Sequence, residues 1–182
     1  FTADSLVEAI VRDAPRHLSP GGSLQLLTNW AITDQPWEER LAAWVAESGC
    51  DLFAIERERL DRFAYIEMWL TDAGLLGTSR WEPAYREWLA YFDQLGIREV
   101  GMGWLLLTRS GRRHPDVRCE SWPHAVAQPV GDMFAAHAVA VDASRLSDAD
   151  LLRLAPRLTD VVAETLGEPG AADPEHLVLR QR

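Results

Sequence analysis

Apolar side chains recur along the first hundred residues in alternating rhythms, and the alternation predicts helices and strands in turn. Over residues 3–18, Leu6, Ile10 and Val11 fall at helical spacing. Pro20-Gly21-Gly22 then ends the helix, because proline cannot continue it and glycine accepts positive φ. Ser23–Trp30 carries Leu24, Leu26 and Leu27 in a largely apolar run without strict alternation. That pattern suits a parallel strand buried on both faces, and predicts a place inside a sheet. Asp34 or Gln35 is positioned to cap the next helix, with Pro36 in its first turn. Trp37, Leu41, Trp44 and Val45 form its apolar stripe before Gly49 ends it. Asp51–Arg57, with Leu52, Phe53, Ala54 and Ile55, is a second short buried strand. Residues 23–57 thus predict a strand–helix–strand unit, for which a right-handed crossover is the default.

Two aromatic-rich helices follow at 61–73 and 82–95, the second stopping at Gly96. Residues 98–109 predict a long strand, in which Gly101 and Gly103 suit a bulge or the close approach of a neighbouring backbone. The polar, arginine-bearing stretch 110–115 reads as a linker. Beyond it, 116–182 predicts a small α+β module with helices at 129–139 and 147–155, the latter opened by Ser147 and Asp148. Its strand candidates are 158–165 and 175–181, separated by the turn-rich Gly167–Pro174. That order resembles part of a winged helix.

Composition narrows the function classes. The chain has 182 residues, 47% of them hydrophobic, enough to bury a core. Its net charge is −10 and all 18 basic residues are arginine, which argues against a surface that grips phosphates indiscriminately. Cys50 and Cys119 are distant and lie in no metal-ligand pattern, and the five histidines share no such spacing, so neither a disulfide framework nor a zinc site is expected. No apolar run is long enough to cross a bilayer, and Asp4, Glu8 and Asp13 interrupt the N-terminal apolar stretch, so no signal peptide is expected. The expected compartment is the cytoplasm. The first residue is Phe1 rather than methionine, which is expected of a processed or truncated chain.

Leu18-Ser19-Pro20-Gly21-Gly22-Ser23-Leu24 resembles the turn that leads into the fifth strand of class I S-adenosylmethionine-dependent methyltransferases. Leu26-Leu27-Thr28-Asn29-Trp30, Trp37-Glu38-Glu39-Arg40-Leu41 and Val100-Gly101-Met102-Gly103-Trp104 look like segments of actinobacterial methyltransferases related to the N5-glutamine and ribosomal RNA guanine enzymes. The resemblance implies the closing half of a Rossmann-like sheet over 1–109: its last three strands, the final one antiparallel and inserted between the other two. The helical insert at 58–97 departs from the family's usual short hairpin, whereas the winged-helix-like module over 116–182 looks like the family's C-terminal module. The implied cofactor is S-adenosylmethionine. The family's glycine-rich loop, ribose-binding acidic residue and Asn-Pro-Pro-aromatic tetrapeptide do not occur in the chain, so the cofactor would be bound mainly by residues outside it. The implied activity is methyl transfer to a nitrogen of a protein or RNA, with this segment completing the sheet and lining the substrate side.

Ligands of open α/β sheets bind beyond the C-terminal ends of the parallel strands. That places Asn29, Trp30 and Arg57 among the substrate-lining candidates, with Tyr65 and Trp69 from the insert as stacking groups. Tyr85 could serve similarly, although aromatics at helical spacing also suit a core. Glu56–Arg59 reads more simply as a solvated strand end than as catalytic carboxylates. No nucleophile has a base beside it in sequence, so no catalytic residue is assigned. Arg112 and Arg113 offer a possible nucleic acid contact, although residues 111–182 hold 8 arginines against 11 acids. Two rival readings are a non-catalytic interaction scaffold and a winged-helix nucleic-acid binder.

Overall fold

The computed structural model describes residues 3–155, 157, 160–168, 173 and 175–181. They build a mixed α/β fold with a four-stranded mixed sheet and a separate two-stranded sheet. The first sheet contains β1 (Ser23–Ile32), β2 (Asp51–Asp61), β3 (Glu99–Thr108) and β4 (Val117–Ser121), in the order β1-β3-β2-β4. β3 is antiparallel to both of its neighbours, so β1 and β2 run parallel to one another with β3 between them. β4 lies parallel to β2 on its other side.

The β1–β3 register is unbroken, from Ser23 opposite Thr108 to Ile32 opposite Glu99. The β2–β3 register shifts between Glu56 and Glu58 at a bulge opposite Gly103. Gly103 is required there, because a Cβ at this position would overlap the Ile55 carbonyl oxygen. Gly103 therefore admits the close backbone approach and bulge expected of this strand, whereas the space at Gly101 is taken by the side chains of Trp30 and Glu56.

Helices cover both faces. α1 (Ser5–Asp13) and α2 (Trp37–Val45) bury Val11, Leu41, Trp44 and Val45 against Leu52, Ala54, Leu105 and Leu107. On the opposite face, α3 (Arg62–Asp72) and α4 (Trp81–Leu95) bring Ile66, Leu70 and Phe92 onto Ala31 and Val100. Farther along that face, Phe134 of α5 (Gly131–Ser144) packs on Phe53, Ile55 and Leu106. Each fully buried leucine or isoleucine contributes about 1.5–3 kcal/mol. Local signals fix the helix ends: the Asp61 carboxylate caps α3 by accepting from the Ala64 N–H at 2.8 Å, and Gly96 closes α4 at φ 65°.

Three features differ from the sequence expectation. β1 is an edge strand instead of an interior one, and Leu27 in its middle is 81% exposed. Its apolar run fills one face against α1 and α2, whereas on the other face Leu27 lies uncovered. β2 runs on to Asp61, so the helical insert expected at 58–97 begins at Arg62. Finally, 110–115 was expected to separate two domains, yet β4 just beyond it joins the same sheet, because Leu52–Glu56 offer a free edge of β2 for pairing with Val117–Ser121. The chain divides into compact units between Val139 and Ala140 instead.

In the second unit, α6 (Asp148–Leu151) is shorter than the helix expected at 147–155, although Ser147 caps it by accepting from the Asp150 N–H at 3.2 Å. β5 (Val161–Leu166) and β6 (His176–Gln181) form an antiparallel pair, with Val161 opposite Gln181 and Leu166 opposite His176. Residues 158 and 159 of the expected strand, and 169–172 and 174 of the turn, lie outside the described residues. No helix among the described residues is long and apolar enough to cross a membrane.

Candidate functional site

Beyond the C-terminal half of β1, the start of α1 and the insert helices α3 and α4 enclose a cleft of about 580 Å³. Asn29, Trp30, Tyr65 and Trp69 all line it, so four of the five sequence candidates converge. The Asn29 side-chain amide donates to the Tyr65 hydroxyl oxygen at 3.0 Å, joining the strand to the insert. Tyr65 anchors an aromatic wall: its ring lies 6.2 Å from Trp69, 6.2 Å from Trp88 and 6.1 Å from Phe92, between centroids. Trp69, 40% exposed, presents the most open surface of that wall.

Trp30 has a different part from the one its position suggested. Its side chain turns to the α2 face of the sheet, stacks on Trp37 at 5.2 Å and is 1% exposed. Its indole N–H is buried and makes no hydrogen bond. Trp30 thus supports the cleft from below, and Gly101 gives it room, since a Cβ there would collide with the indole.

The cleft is electrically quiet. Among its lining residues Asp4 is the one carboxylate, and no arginine or histidine joins it. Asp4 is also committed. Its carboxylate takes the Arg40 guanidinium at 2.8 and 3.1 Å and the Ala31 N–H at 2.8 Å, while Arg40 also donates to the Ala31 carbonyl.

Arg57 lies elsewhere. Its guanidinium sits 5.4 Å from the Trp104 ring centroid and donates to the carbonyls of Trp122 and His124. The bulge in β2 directs it toward the segment after β4, which it fastens to the sheet. Within the stretch expected as a solvated strand end, Glu58 and Arg59 are exposed but Glu56 is buried. It is 3% exposed, gripped by the Arg59 guanidinium through both carboxylate oxygens at 3.0–3.3 Å, and bonded by the Ser121 hydroxyl at 3.2 Å. Tyr85 stacks on Trp81 and does not line the cleft, and burial together with the Glu67 carboxylate raises its hydroxyl pKa. Three further aromatics line the cleft beyond the sequence candidates, Trp88, Tyr91 and Phe92. The helical spacing of Trp88 and Phe92 matches a core stripe, and Tyr91 lies three residues beyond Trp88, with its hydroxyl accepting from the Ala3 N–H at 2.6 Å.

Around β4, burial pushes the Cys119 thiol up to about 12, which keeps it protonated and unreactive. His137 stacks on Phe53 at 4.1 Å, and burial, reinforced by Arg118, lowers its pKa. Arg112 pairs with Asp51, whose other oxygen accepts from the Asp116 N–H at 2.8 Å; Arg113 is exposed. Of the two arginines suggested for nucleic acid, Arg112 is therefore engaged within the sheet's end.

No protein-family profile matches the chain, and no curated protein matches it.

Proposed function

We propose that the chain is the C-terminal part of a class I S-adenosylmethionine-dependent methyltransferase acting on a nitrogen of a protein or RNA. The observation that carries the reading is the strand order: two parallel strands, β1 and β2, with the later strand β3 inserted antiparallel between them. The resemblance implies this arrangement for the end of the methyltransferase sheet. The cleft beyond β1 adds a location where open α/β sheets place ligands.

The residues present do not fit the cofactor. The single carboxylate in the cleft is held by Arg40, and neither a glycine-rich loop nor a free acidic group is available for a ribose. In this reading the chain completes the sheet and lines the substrate side. Tyr65, Trp69 and Trp88 exclude water, and Asn29 presents a side-chain amide whose orientation Tyr65 fixes. The free edge of β1 is where the rest of the sheet would attach.

Intact mass and equilibrium dialysis with radiolabelled S-adenosylmethionine test the proposal, applied to this chain and to the native polypeptide from its source. A native mass well above 20.4 kDa, with cofactor binding and methyl transfer confined to the larger species, is expected. A native polypeptide of 20.4 kDa without methyl transfer would overturn the proposal and favour a scaffold. Micromolar cofactor binding by the chain alone would overturn the division of labour.

A further inference from the structure

The most exposed large apolar side chain of the four-stranded sheet, Leu27, lies on its unpaired edge. Along a strand, the direction of the N–H and C=O groups alternates with every residue. Both groups of Ala31 point away from β3, since its N–H donates to Asp4 and its carbonyl accepts from Arg40. Gln25, Leu27 and Asn29 therefore point the same way, and among the described residues β1 has no strand on that side. Their side chains share the face of Leu27, which forms a wall of both the 580 Å³ cleft and a second hollow of about 310 Å³ beside Gln25 and Phe134. An open edge of this kind, with an apolar centre and no lysine or proline to protect it, is a template for another strand.

We propose that the chain by itself forms a two-fold dimer by pairing β1 with β1 of a second copy, antiparallel, with Leu27 on the axis. The register follows from the residues. The open stretch Gln25–Asn29 is centred on Leu27, because Asp4 and Arg40 close it at Ala31. Antiparallel pairing about Leu27 makes every outward-pointing residue meet another: Leu27 meets its own copy, and Gln25 meets Asn29. Each of these residues donates and accepts once, so no edge group in the stretch is left unpaired. The side-chain pairs match as well, leucine against leucine and amide against amide. A two-fold interface needs such self-complementarity. Shifting the register by one residue on one strand would set inward-pointing groups against the edge, and shifting it by two would place Leu27 against an amide.

The inference concerns the chain alone and does not rest on the methyltransferase reading. Under that reading the same edge carries the rest of the sheet, so the two modes of pairing exclude each other. A short paired edge buries little area, so association in the weak range is expected, and on the order of 100 μM protein is the appropriate concentration for the measurement.

Sedimentation equilibrium of the 182-residue chain should give twice 20.4 kDa at that concentration. L27K and L27E should each be monomeric, because like charges would face each other across the axis. An equimolar mixture of L27K and L27E should recover the dimer as a heterodimer. Leu27 is solvent-facing, so these variants fold, and circular dichroism checks this directly. A monomeric parent chain, a dimer that survives L27K, or a mixture that stays monomeric would each overturn the proposal. S-adenosylmethionine binding plays no part in any of these results, so failure here leaves the methyltransferase proposal untouched.

Discussion

β1 and β2 are both rich in aliphatic residues, run in the same direction and flank the same strand, yet they occupy opposite environments. β2 is paired on both sides and is buried without interruption from Asp51 to Glu56. β1 is paired on one side, and its first six residues alternate between exposed and half-buried before Trp30, Ala31 and Ile32 go under. Apolar content alone therefore does not say how many neighbours a strand has. What separates the two is β4, which covers the outer edge of β2, while among the described residues nothing of the sheet covers β1.

The largest test of that contrast is the β2–β3 seam. G103V should destabilise the fold by more than about 4 kcal/mol or prevent folding, since the new side chain has no space against the Ile55 carbonyl. Urea denaturation monitored by tryptophan fluorescence measures this. Next, R59A should cost about 3 kcal/mol by leaving the Glu56 carboxylate buried without its main partner. This is the lower end of the usual range, because Arg59 is 39% exposed and the Ser121 hydroxyl remains. R59A/E56Q should recover part of the loss in the same denaturation series.

A smaller, pH-dependent effect belongs to the covered side of the sheet. The pKa of His137 is lower in the folded chain than its ordinary value of about 6.5, so the unfolded chain binds the proton more readily. Its contribution is fully present above about pH 6.5 and is lost as the pH falls through that value toward the folded one. H137F keeps the ring against Phe53 and should flatten the stability profile between about pH 7 and pH 5, as thermal denaturation would show. The smallest effect is expected at the open edge. L27T should change monomer stability by no more than about 0.5 kcal/mol. A larger loss would mean that β1 is covered in solution by more than its own copy.

Periodicity made most helices and strands of the first unit legible, because they carry their own stripes and stop signals, such as Gly96, although β2 runs four residues beyond its expected end. Neighbour relations were less legible. The run of leucines in β1 has the same pattern whether a strand lies outside it or not, and Val117–Ser121 is too short and polar to announce that it extends the sheet. In the site, Asn29, Tyr65 and Trp69 were found because they sit at a strand end and on the adjacent insert. Trp30 and Arg57 were assigned by position along the chain, but direction decided their roles. Strand alternation turns Trp30 to the opposite face, and the bulge swings Arg57 toward Trp104.

β2 passes into α3 without a connecting loop: Asp61 ends the strand and caps the helix whose side chains form the aromatic wall. Mechanically, that wall is a rigid bracket and not a hinged flap. Any tilt of α3 must pull on a strand that is clamped to β3 by the ladder and by the Arg59–Glu99 ion pair at 3.5 Å, so it would be resisted by the whole sheet. Opening and closing at the cleft therefore falls to rotations of single side chains, Trp69 foremost, and such rotations are complete in nanoseconds, long before a domain could swing.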